Sequence, residues 1–104
     1  MYKIVFFVPP SHFSEVKTAV LSAGAGRVGR YEYCLWYVLG HGEYRPCKGA
    51  EPFLGEVGKL EKVEEYRVET LVEDDVLEAS IAALKLVHPY EEVLFEVTQL
   101  EDVL

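Results

Sequence analysis

The sequence predicts an α+β fold in which two helices cover one face of a four-stranded antiparallel sheet. Three observations support this prediction. Several apolar runs are rich in β-branched and aromatic residues, which favour strands. Two segments between these runs repeat apolar residues at helical spacing, and glycine or proline marks the ends of most segments. The chain has 104 residues, of which 50% are hydrophobic, so we expect one domain over residues 1–104.

The chain is predicted to begin with a strand and a helix. Tyr2–Val8 is an apolar run, and Pro9 and Pro10 end it because proline cannot donate a hydrogen bond to a sheet. Ser11 is expected to cap the first helix, since its hydroxyl can accept from an N–H of the first turn. Gly24 is expected to end this helix. The apolar stripe of the helix consists of Phe13, Val16, Val20 and Ala23.

The middle of the chain is predicted to hold the second strand, a long loop and the third strand. Residues 31–39 are expected to form the second strand, residues 40–42 a bend and residues 43–45 a short returning arm. Residues 46–55 contain two prolines and two glycines, which is typical of a structured loop. In residues 63–72 alternate side chains face a core and water. The core face carries Tyr66, Val68, Thr70 and Val72, and the water face carries Glu65, Arg67 and Glu69.

A second helix and a fourth strand complete the predicted order. Asp74 and Asp75 are expected to open the helix, because acidic side chains favour the positive end of a helix dipole. The helix is expected to end at His88, since the residue before a proline is biased away from the helical region. The helix stripe contains Leu77, Ile81 and Leu84, and one side of the last strand, residues 93–100, contains Val93, Phe95 and Val97. This order of elements, βαββαβ, is that of the ferredoxin-like fold.

Charge and cysteine content narrow the functional classes. The formal net charge of −8 argues against non-specific binding to nucleic acid or anionic membranes, which requires basic patches. Cys34 and Cys47 are too few for a disulfide framework or a paired-cysteine zinc motif, so we expect two reduced thiols. No apolar run approaches the roughly 18 residues of a membrane span, and the start has no signal-peptide core. We therefore expect a cytoplasmic protein without nucleic-acid or membrane partners.

Two of the predicted strands are apolar on both faces. Since two helices cover only one face of a sheet, the other face should be polar in a monomer. The first strand nevertheless has Val5 and Phe7 on its second face, and the second strand has Cys34, Trp36 and Val38. An exposed apolar face of this size is unusual on a monomer, so we predict that a homo-oligomer buries it. The alternative is that residues 40–55 fold back over this face.

Two segments of the chain carry a family resemblance that extends over nearly its whole length. The first comprises residues 24–31, Cys34, residues 40–46, Gly49, Pro52 and Gly55, and the second comprises residues 88–92. They resemble the domain inserted in Ngg-one-interacting-factor-three-like dinuclear-metal proteins, often labelled GTP cyclohydrolase I type 2 homologues, and its stand-alone YqfO-type relatives. The resemblance implies a fold similar to PII signalling proteins and CutA, with a tendency to form trimers. The family's metal ligands lie in flanking halves, so no metal site and no catalytic residue are carried over.

Histidine and carboxylate side chains suggest one candidate site. His88, Glu91 and Glu92 are candidates for a metal site or an acid–base cluster, because Zn²⁺ and Mn²⁺ accept imidazole and carboxylate ligands. His41 and Glu43 are candidates to join them, and His88 and His41 are the best metal-ligand candidates. The alternative is a simple turn with its acids in solvent. Because Glu91 and Glu92 are adjacent, an extended chain would point them to opposite faces.

Residues 40–55 suggest a second part of the site. By resemblance to PII-like proteins, a long loop between the second and third strands meets effectors and partners, whereas the alternative is a structural flap. Together the two segments supply ten candidate ligand-binding residues. They are Gly40, His41, Gly42, Glu43, Tyr44, Pro46, His88, Tyr90, Glu91 and Glu92.

Three functions are compatible with these residues. The first is a regulatory module that binds a small ligand or a metal ion and forms a homo-oligomer, with a trimer favoured. The second is a small metal-dependent enzyme that uses His88 and nearby carboxylates, and the third is an accessory protein that docks on a larger partner. The first is favoured because the resemblance covers the inserted domain and omits the catalytic halves. The sequence indicates no cofactor beyond a candidate divalent metal ion and leaves the ligand unidentified.

Overall fold

Residues 1–101, which the computed structural model describes, fold into four strands and two α-helices in the predicted order. The strands are β1 (Tyr2–Val8), β2 (Trp36–Tyr44), β3 (Glu61–Val72) and β4 (Phe95–Gln99), and the helices are α1 (Phe13–Ser22) and α2 (Leu77–Val87). Short 3₁₀ turns, Pro10–His12 and Asp74–Val76, lead into α1 and α2. Neither α-helix in this part of the chain is long and apolar enough to cross a membrane.

The strands form one antiparallel sheet in the order β2-β3-β1-β4. Strand β1 pairs with both β3 and β4, whereas β2 lies at an edge. Both helices contribute to a single buried core with the two central strands. This core includes Ile4, Phe6, Val8, Val16, Val20, Val68, Val72 and Leu84. The helices therefore lie on one face of the sheet, and the predicted α+β, ferredoxin-like fold is confirmed.

The predicted faces of β3 agree with the burial of its side chains. Val68 and Val72 are completely buried, Thr70 is almost completely buried, and Tyr66 packs against the same core. Successive side chains of a strand point to opposite faces, so the intervening residues lie on the face away from the helices. These residues are Glu65, Arg67 and Glu69.

Strand β2 begins later than predicted. The predicted strand over residues 31–39 is wrong in its first half, because Val28 and Tyr31 exchange two backbone hydrogen bonds of 2.9 Å and close a tight turn. Tyr33 then adopts a φ of 58°, which interrupts the extended backbone. Regular pairing with β3 starts only at Trp36.

Strand β2 also ends later than predicted. Residues 40–42 are not a bend, because they pair with residues 63–65 of β3, and the ladder continues to Tyr44 opposite Glu61. Neither Gly40 nor Gly42 has a positive φ. Glycine adopts extended as well as turn conformations, so two glycines separated by one residue did not interrupt the strand.

The start of α1 differs from the prediction, but its end agrees. Ser11 does not cap the helix, because its Oγ lies 2.9 Å from Nδ1 of His12 and both residues belong to the 3₁₀ turn. The N–H of His12 donates to the carbonyl of Pro9 at 3.0 Å. Gly24 follows the last turn with a φ of 122°, and its N–H donates to Leu21. This is the left-handed termination that favours glycine.

The second half of the chain follows the prediction apart from its boundaries. Asp74 and Asp75 lie in the 3₁₀ turn before α2, and α2 ends at Val87, immediately before His88. Strand β4 is shorter than the predicted residues 93–100, since its ladder with β1 runs only over Phe95–Gln99.

The β2–β3 hairpin projects beyond the rest of the sheet. Strand β1 pairs with β3 as far as Tyr66, whereas β2 follows β3 to Glu61. We call this projection, residues 40–44 and 61–65, the arm. It gives the molecule extents of 49 × 25 × 24 Å. The arm and the turn at residues 88–92 position the candidate site.

Candidate functional site

The candidate site lies on the sheet face opposite the helices, which we call the open face. Residues paired across antiparallel strands point to the same face, so the register identifies its members. Strand β1 contributes Lys3, Val5 and Phe7, strand β2 contributes Trp36, Val38, Gly40 and Gly42, and strand β3 contributes Glu65, Arg67 and Glu69.

Charged side chains cover the part of the open face above β1. Lys3 Nζ lies 2.5 Å from Glu69 Oε1, and Arg67 Nε donates to Glu69 Oε2 at 3.5 Å. The hydrogen bond from Lys3 lowers the pKa of the Glu69 carboxyl. The Arg67 guanidinium also lies over the ring of Phe7, 5.7 Å from its centroid. Val5 is consequently buried although no helix covers it.

A groove of about 430 Å³ opens on the same face, between β2 and the turn that follows α2. Gly40 and Gly42 leave its floor without side chains. Its apolar walls are Phe7, Val38 and Leu94 together with the ring of Tyr90, and its charged groups include Glu65 and Arg67. His41 and Glu43 also line it. The groove therefore combines an apolar cleft with a few polar groups, which is typical of small-ligand sites.

Gly42 provides space for the carboxylate of Glu65. A Cβ at position 42 would collide with Glu65 Oε1, whereas a Cβ at Gly40 would meet nothing closer than a Glu65 backbone oxygen at 4.0 Å. The hydroxyl of Tyr90 donates to the other carboxylate oxygen, Oε2, at 2.9 Å. Burial, together with this hydrogen bond and the charge of Glu65, raises the pKa of Tyr90. Gly42 thus leaves room for the Glu65 carboxylate, and the hydrogen bond from Tyr90 holds the carboxylate in place.

His88 holds the turn that carries Tyr90. Its Nε2 lies 2.6 Å from the carbonyl oxygen of Phe7, and its Nδ1 accepts from the backbone N–H of Tyr90 at 3.1 Å. A carbonyl can only accept, so Nε2 carries the proton and the ring is neutral. Burial lowers the pKa of His88. The imidazole thereby joins the end of β1 to the wall of the groove.

Residues 45–60 fold back along the arm and contact the same turn. The hydroxyl of Tyr44 donates to the carbonyl of Leu54 at 2.6 Å, and the N–H of Glu51 donates to Glu91 Oε2 at 2.9 Å. The ring of Phe53 lies edge-on to His12, with 5.2 Å between centroids. Burial, followed by the charges of nearby glutamates, raises the pKa of Tyr44. We call residues 45–60 the strap. These contacts fix its position and leave the side chains at the start of β2 exposed.

The chain matches a group of longer proteins over most of its length. No family model matches it. It is 42% identical over 96 residues to a protein named GTP cyclohydrolase 1 type 2 homolog from Halalkalibacterium halodurans, a match that covers 92% of this chain and 26% of that protein. The chain is therefore similar to one segment of the GTP cyclohydrolase 1 type 2 homologues. It spans about a quarter of the length of the curated relatives it matches.

Solved structures place the same segment in a known fold. A Bacillus cereus protein related to NIF3 is similar with a TM-score of 0.83 and 39% identity, over 97% of this chain and 26% of that one. The PII-like protein CutA from Nostoc sp. PCC 7120 has a TM-score of 0.68 at 18% identity, over 97% of this chain and 82% of that one. The resemblance to the segment of the GTP cyclohydrolase 1 type 2 homologues and the PII/CutA-like fold, both predicted from the sequence, are therefore confirmed.

The structure brings half of the candidate residues together in the groove. Those that line it are Gly40, His41, Gly42, Glu43 and Tyr90. The others have different surroundings. Tyr44 and Glu91 hold the strap, Pro46 is buried and accepts from Gly58, His88 lies behind Tyr90, and Glu92 is exposed.

The described residues supply no ligand set for the candidate metal site around His88. Both ring nitrogens of His88 have main-chain partners. Among residues 1–101, no group of three or more His, Cys, Asp and Glu side chains is arranged to hold a metal ion. His41 is exposed on the arm. Within the described part of this chain, residues 1–101, the candidate ligands therefore do not form a metal centre by themselves.

Sequence reasoning missed the two charged residues that β3 contributes to the groove, Glu65 and Arg67. It assigned Glu65 and Arg67 to the water-facing side of β3, which is the correct face. Alternation identifies a face, but it gives no sign that the turn carrying Tyr90 crosses that face. The sign available in the sequence was the pair Gly40 and Gly42, since glycines at alternate strand positions leave one face open to close approach.

Proposed function

We propose that this chain is a homo-oligomeric module that binds a small molecule in the groove of the open face. The observation that supports this best is the convergence of Glu65, Arg67 and Tyr90 over the side-chain-free floor at Gly40 and Gly42. At Gly40 such a floor allows a ligand to approach the backbone closely, whereas at Gly42 the Glu65 carboxylate occupies the space. Catalysis by the relatives named above is not part of this proposal, because the chain spans about a quarter of their length.

The edge strand β2 supports assembly. Trp36, Tyr37, Val38 and Leu39 are 57%, 48%, 44% and 47% exposed, so four successive large apolar or aromatic side chains meet solvent. An exposed apolar edge strand is a template for pairing with another chain, and natural proteins cover such edges. The strap does not cover these residues. A second copy of the chain is the occupant we propose, and the resemblance to PII and CutA favours a trimer.

The groove and the β2 edge are adjacent. Val38 belongs to both, since it lines the groove and lies among the exposed residues of the edge. A second copy on β2 would therefore form a further wall of the groove and exclude water from it. We propose that the ligand lies at this boundary between subunits.

Native mass spectrometry of protein purified without tag or chelator measures the number of subunits and the presence of a bound molecule together. We expect a trimer that carries a co-purified small molecule. A monomer at micromolar concentration would contradict the assembly. The variant Val38→Lys places a charge on the β2 edge and is expected to yield monomers, whereas Leu86→Lys, at an exposed position of α2, should leave the mass unchanged.

A matched pair of glycine variants tests the groove. Gly42→Ala displaces the Glu65 carboxylate, so we expect the co-purified molecule to be lost. Gly40→Ala, on the same strand and face, meets no close atom and should retain it. Equal retention by both variants would show that the ligand binds elsewhere.

We also propose a cytoplasmic location. Cys34 and Cys47 are unpaired thiols, which is the usual state of cysteines in a reducing compartment. Fractionation of cells that express the untagged chain checks this directly. Recovery in an oxidising compartment would contradict it.

A further inference from the structure

Two opposite charges stand side by side in the groove without forming an ion pair. Glu65 and Arg67 are two residues apart on β3, so their Cα atoms are about 6.7 Å apart and their side chains share the open face. Within residues 1–101, no salt bridge joins the two. Because nearby opposite charges normally attract, something must hold each side chain in another direction.

The neighbours of each side chain account for this separation. The hydroxyl of Tyr90 donates to Glu65 Oε2, and the missing side chain at Gly42 lets the carboxylate lie against β2. Arg67 donates to Glu69 and lies over the ring of Phe7, on the β1 side. The two charges are therefore held apart by the fold, with a gap between them in the groove.

The charges on both sides of the gap remain uncompensated. Glu69 has a single negative charge and pairs with two cations, Lys3 and Arg67, so this group of three keeps one positive charge. Glu65 accepts from the phenol of Tyr90, which is neutral, and keeps its negative charge. Of the charged side chains that line the groove, Glu43 pairs with Lys62 at 3.9 Å, so Arg67 and Glu65 are left as one positive and one negative group.

We propose that the groove binds a zwitterion of the α-amino-acid type with an apolar side chain. Its carboxylate would pair with Arg67 and its ammonium group with Glu65, which fills the gap with charges of the right sign. Its side chain would lie against Val38 and Leu94, the apolar walls. The volume of about 430 Å³ suits a small metabolite. This assignment rests on the proposed function, because it names the ligand of the same groove.

Ligands with a single charge fit this arrangement less well. A simple amine would satisfy Glu65 and leave Arg67 without an anion, and a simple carboxylate would do the reverse. Either would desolvate one protein charge without pairing it, which opposes binding. A zwitterion pairs both, so its two charged groups should contribute together.

Three molecules with the same branched side chain test the proposal. They are L-leucine, 4-methylpentanoate, which lacks the amine, and 3-methylbutylamine, which lacks the carboxylate. Each is titrated into the ¹⁵N-labelled full chain, and the amide signals of Gly40, Gly42, Glu65 and Arg67 are followed. We expect L-leucine to shift these signals and to half-saturate at a concentration about tenfold or more below either of the other two.

Two variants test which protein side chain pairs with each charged group of the ligand. Glu65→Gln should remove the advantage of L-leucine over 4-methylpentanoate, and Arg67→Gln should remove its advantage over 3-methylbutylamine. Glu64→Gln, on the opposite face of β3, is the matched control and should bind as the parent does. Half-saturation of all three molecules at one concentration would overturn the ligand class while leaving the groove as a site. Unshifted groove signals with all three, together with protein that purifies without a ligand, would overturn the proposed function as well.

Discussion

The two faces of the sheet differ in what their side chains do, although the same strands supply both. On the helix face, Ile4, Phe6 and Val68 are completely buried against α1 and α2. On the open face, the neighbouring positions carry charges and glycines, and burial there depends on ion pairs and ring contacts. The difference indicates that the helix face supplies most of the stability, whereas the open face is available for binding. Changes to the helix face should therefore alter stability without altering binding, and changes to the open face should alter binding with little effect on stability.

The largest expected effect is the loss of a core side chain. Leu84→Ala on α2 leaves a cavity in a completely buried site, which should lower the free energy of unfolding by about 2–5 kcal/mol. Chemical denaturation measures this. Because Leu84 contacts the helix-face core, the folded variant should still bind L-leucine as the parent does.

Leu86 on the same helix provides the control. Its side chain is 86% exposed, so Leu86→Ala should change the free energy of unfolding by about 0.5 kcal/mol or less. Equal destabilisation by the two variants would contradict the assignment of the core to one face of α2.

A smaller effect is expected at His88, which connects the two faces. His88→Ala leaves the Phe7 carbonyl and the Tyr90 N–H without their partner, which should cost about 1–3 kcal/mol of unfolding free energy. The Tyr90 wall should also loosen, so the affinity for L-leucine should fall. A variant with normal stability but altered binding would place His88 in the site itself.

The pH dependence of stability sharpens the role of His88. The folded-state pKa of His88 lies below the ordinary value of 6.5, since burial opposes protonation. Burial outweighs the hydrogen bond to Phe7 and the charge of Glu65, which both raise the pKa, while His12 adds to the lowering. As the pH falls through about 6.5, the unfolded state binds a proton that the folded state resists, so stability decreases until the folded pKa is reached. Thermal unfolding between pH 8 and pH 5 measures this decrease.

The control is a second histidine variant. His88→Asn should flatten this part of the pH profile, whereas His41→Asn, on the exposed arm, should retain it. A profile that keeps its slope without His88 would assign the titration to another group.

The smallest effect is expected on the surface of the open face. Lys3→Gln removes one partner of Glu69, but the pair is partly exposed, so the melting temperature should fall only slightly. The difference between parent and variant should disappear in about 1 M salt, where charges are screened over roughly 3 Å. A large, salt-independent loss would mean that Lys3 contributes to the core.

The same division between the faces explains what the sequence could predict. The extent of β1 and the two faces of β3 follow from burial patterns that are local in sequence. The early part of β2 was predicted wrongly, because the Val28–Tyr31 turn and the φ of Tyr33 interrupt a run that is mostly apolar and aromatic. Gly40 and Gly42 were interpreted as a bend because glycine fits both turn and strand.

Only part of the candidate site was predicted, because several of its contacts join residues that are far apart in the sequence. His88 was a candidate metal ligand, with a simple turn as the alternative. Its partners in the structure are the main-chain atoms of Phe7 and Tyr90, which no pattern of side chains reveals. Glu65 and Arg67 acquire their role only when the turn after α2 crosses the open face. Half of the residues that line the groove were among the predicted candidates, and the other half required the structure. The second half consists of Phe7, Val38, Glu65, Arg67 and Leu94.

A crystal structure of the protein grown with saturating L-leucine tests the central claim most directly. We predict the amino acid in the groove, with its carboxylate on Arg67, its ammonium group on Glu65 and a second copy of the chain against β2. An empty groove whose Glu65 and Arg67 are paired with side chains of a neighbouring copy would contradict the account, because the open face would then serve assembly alone.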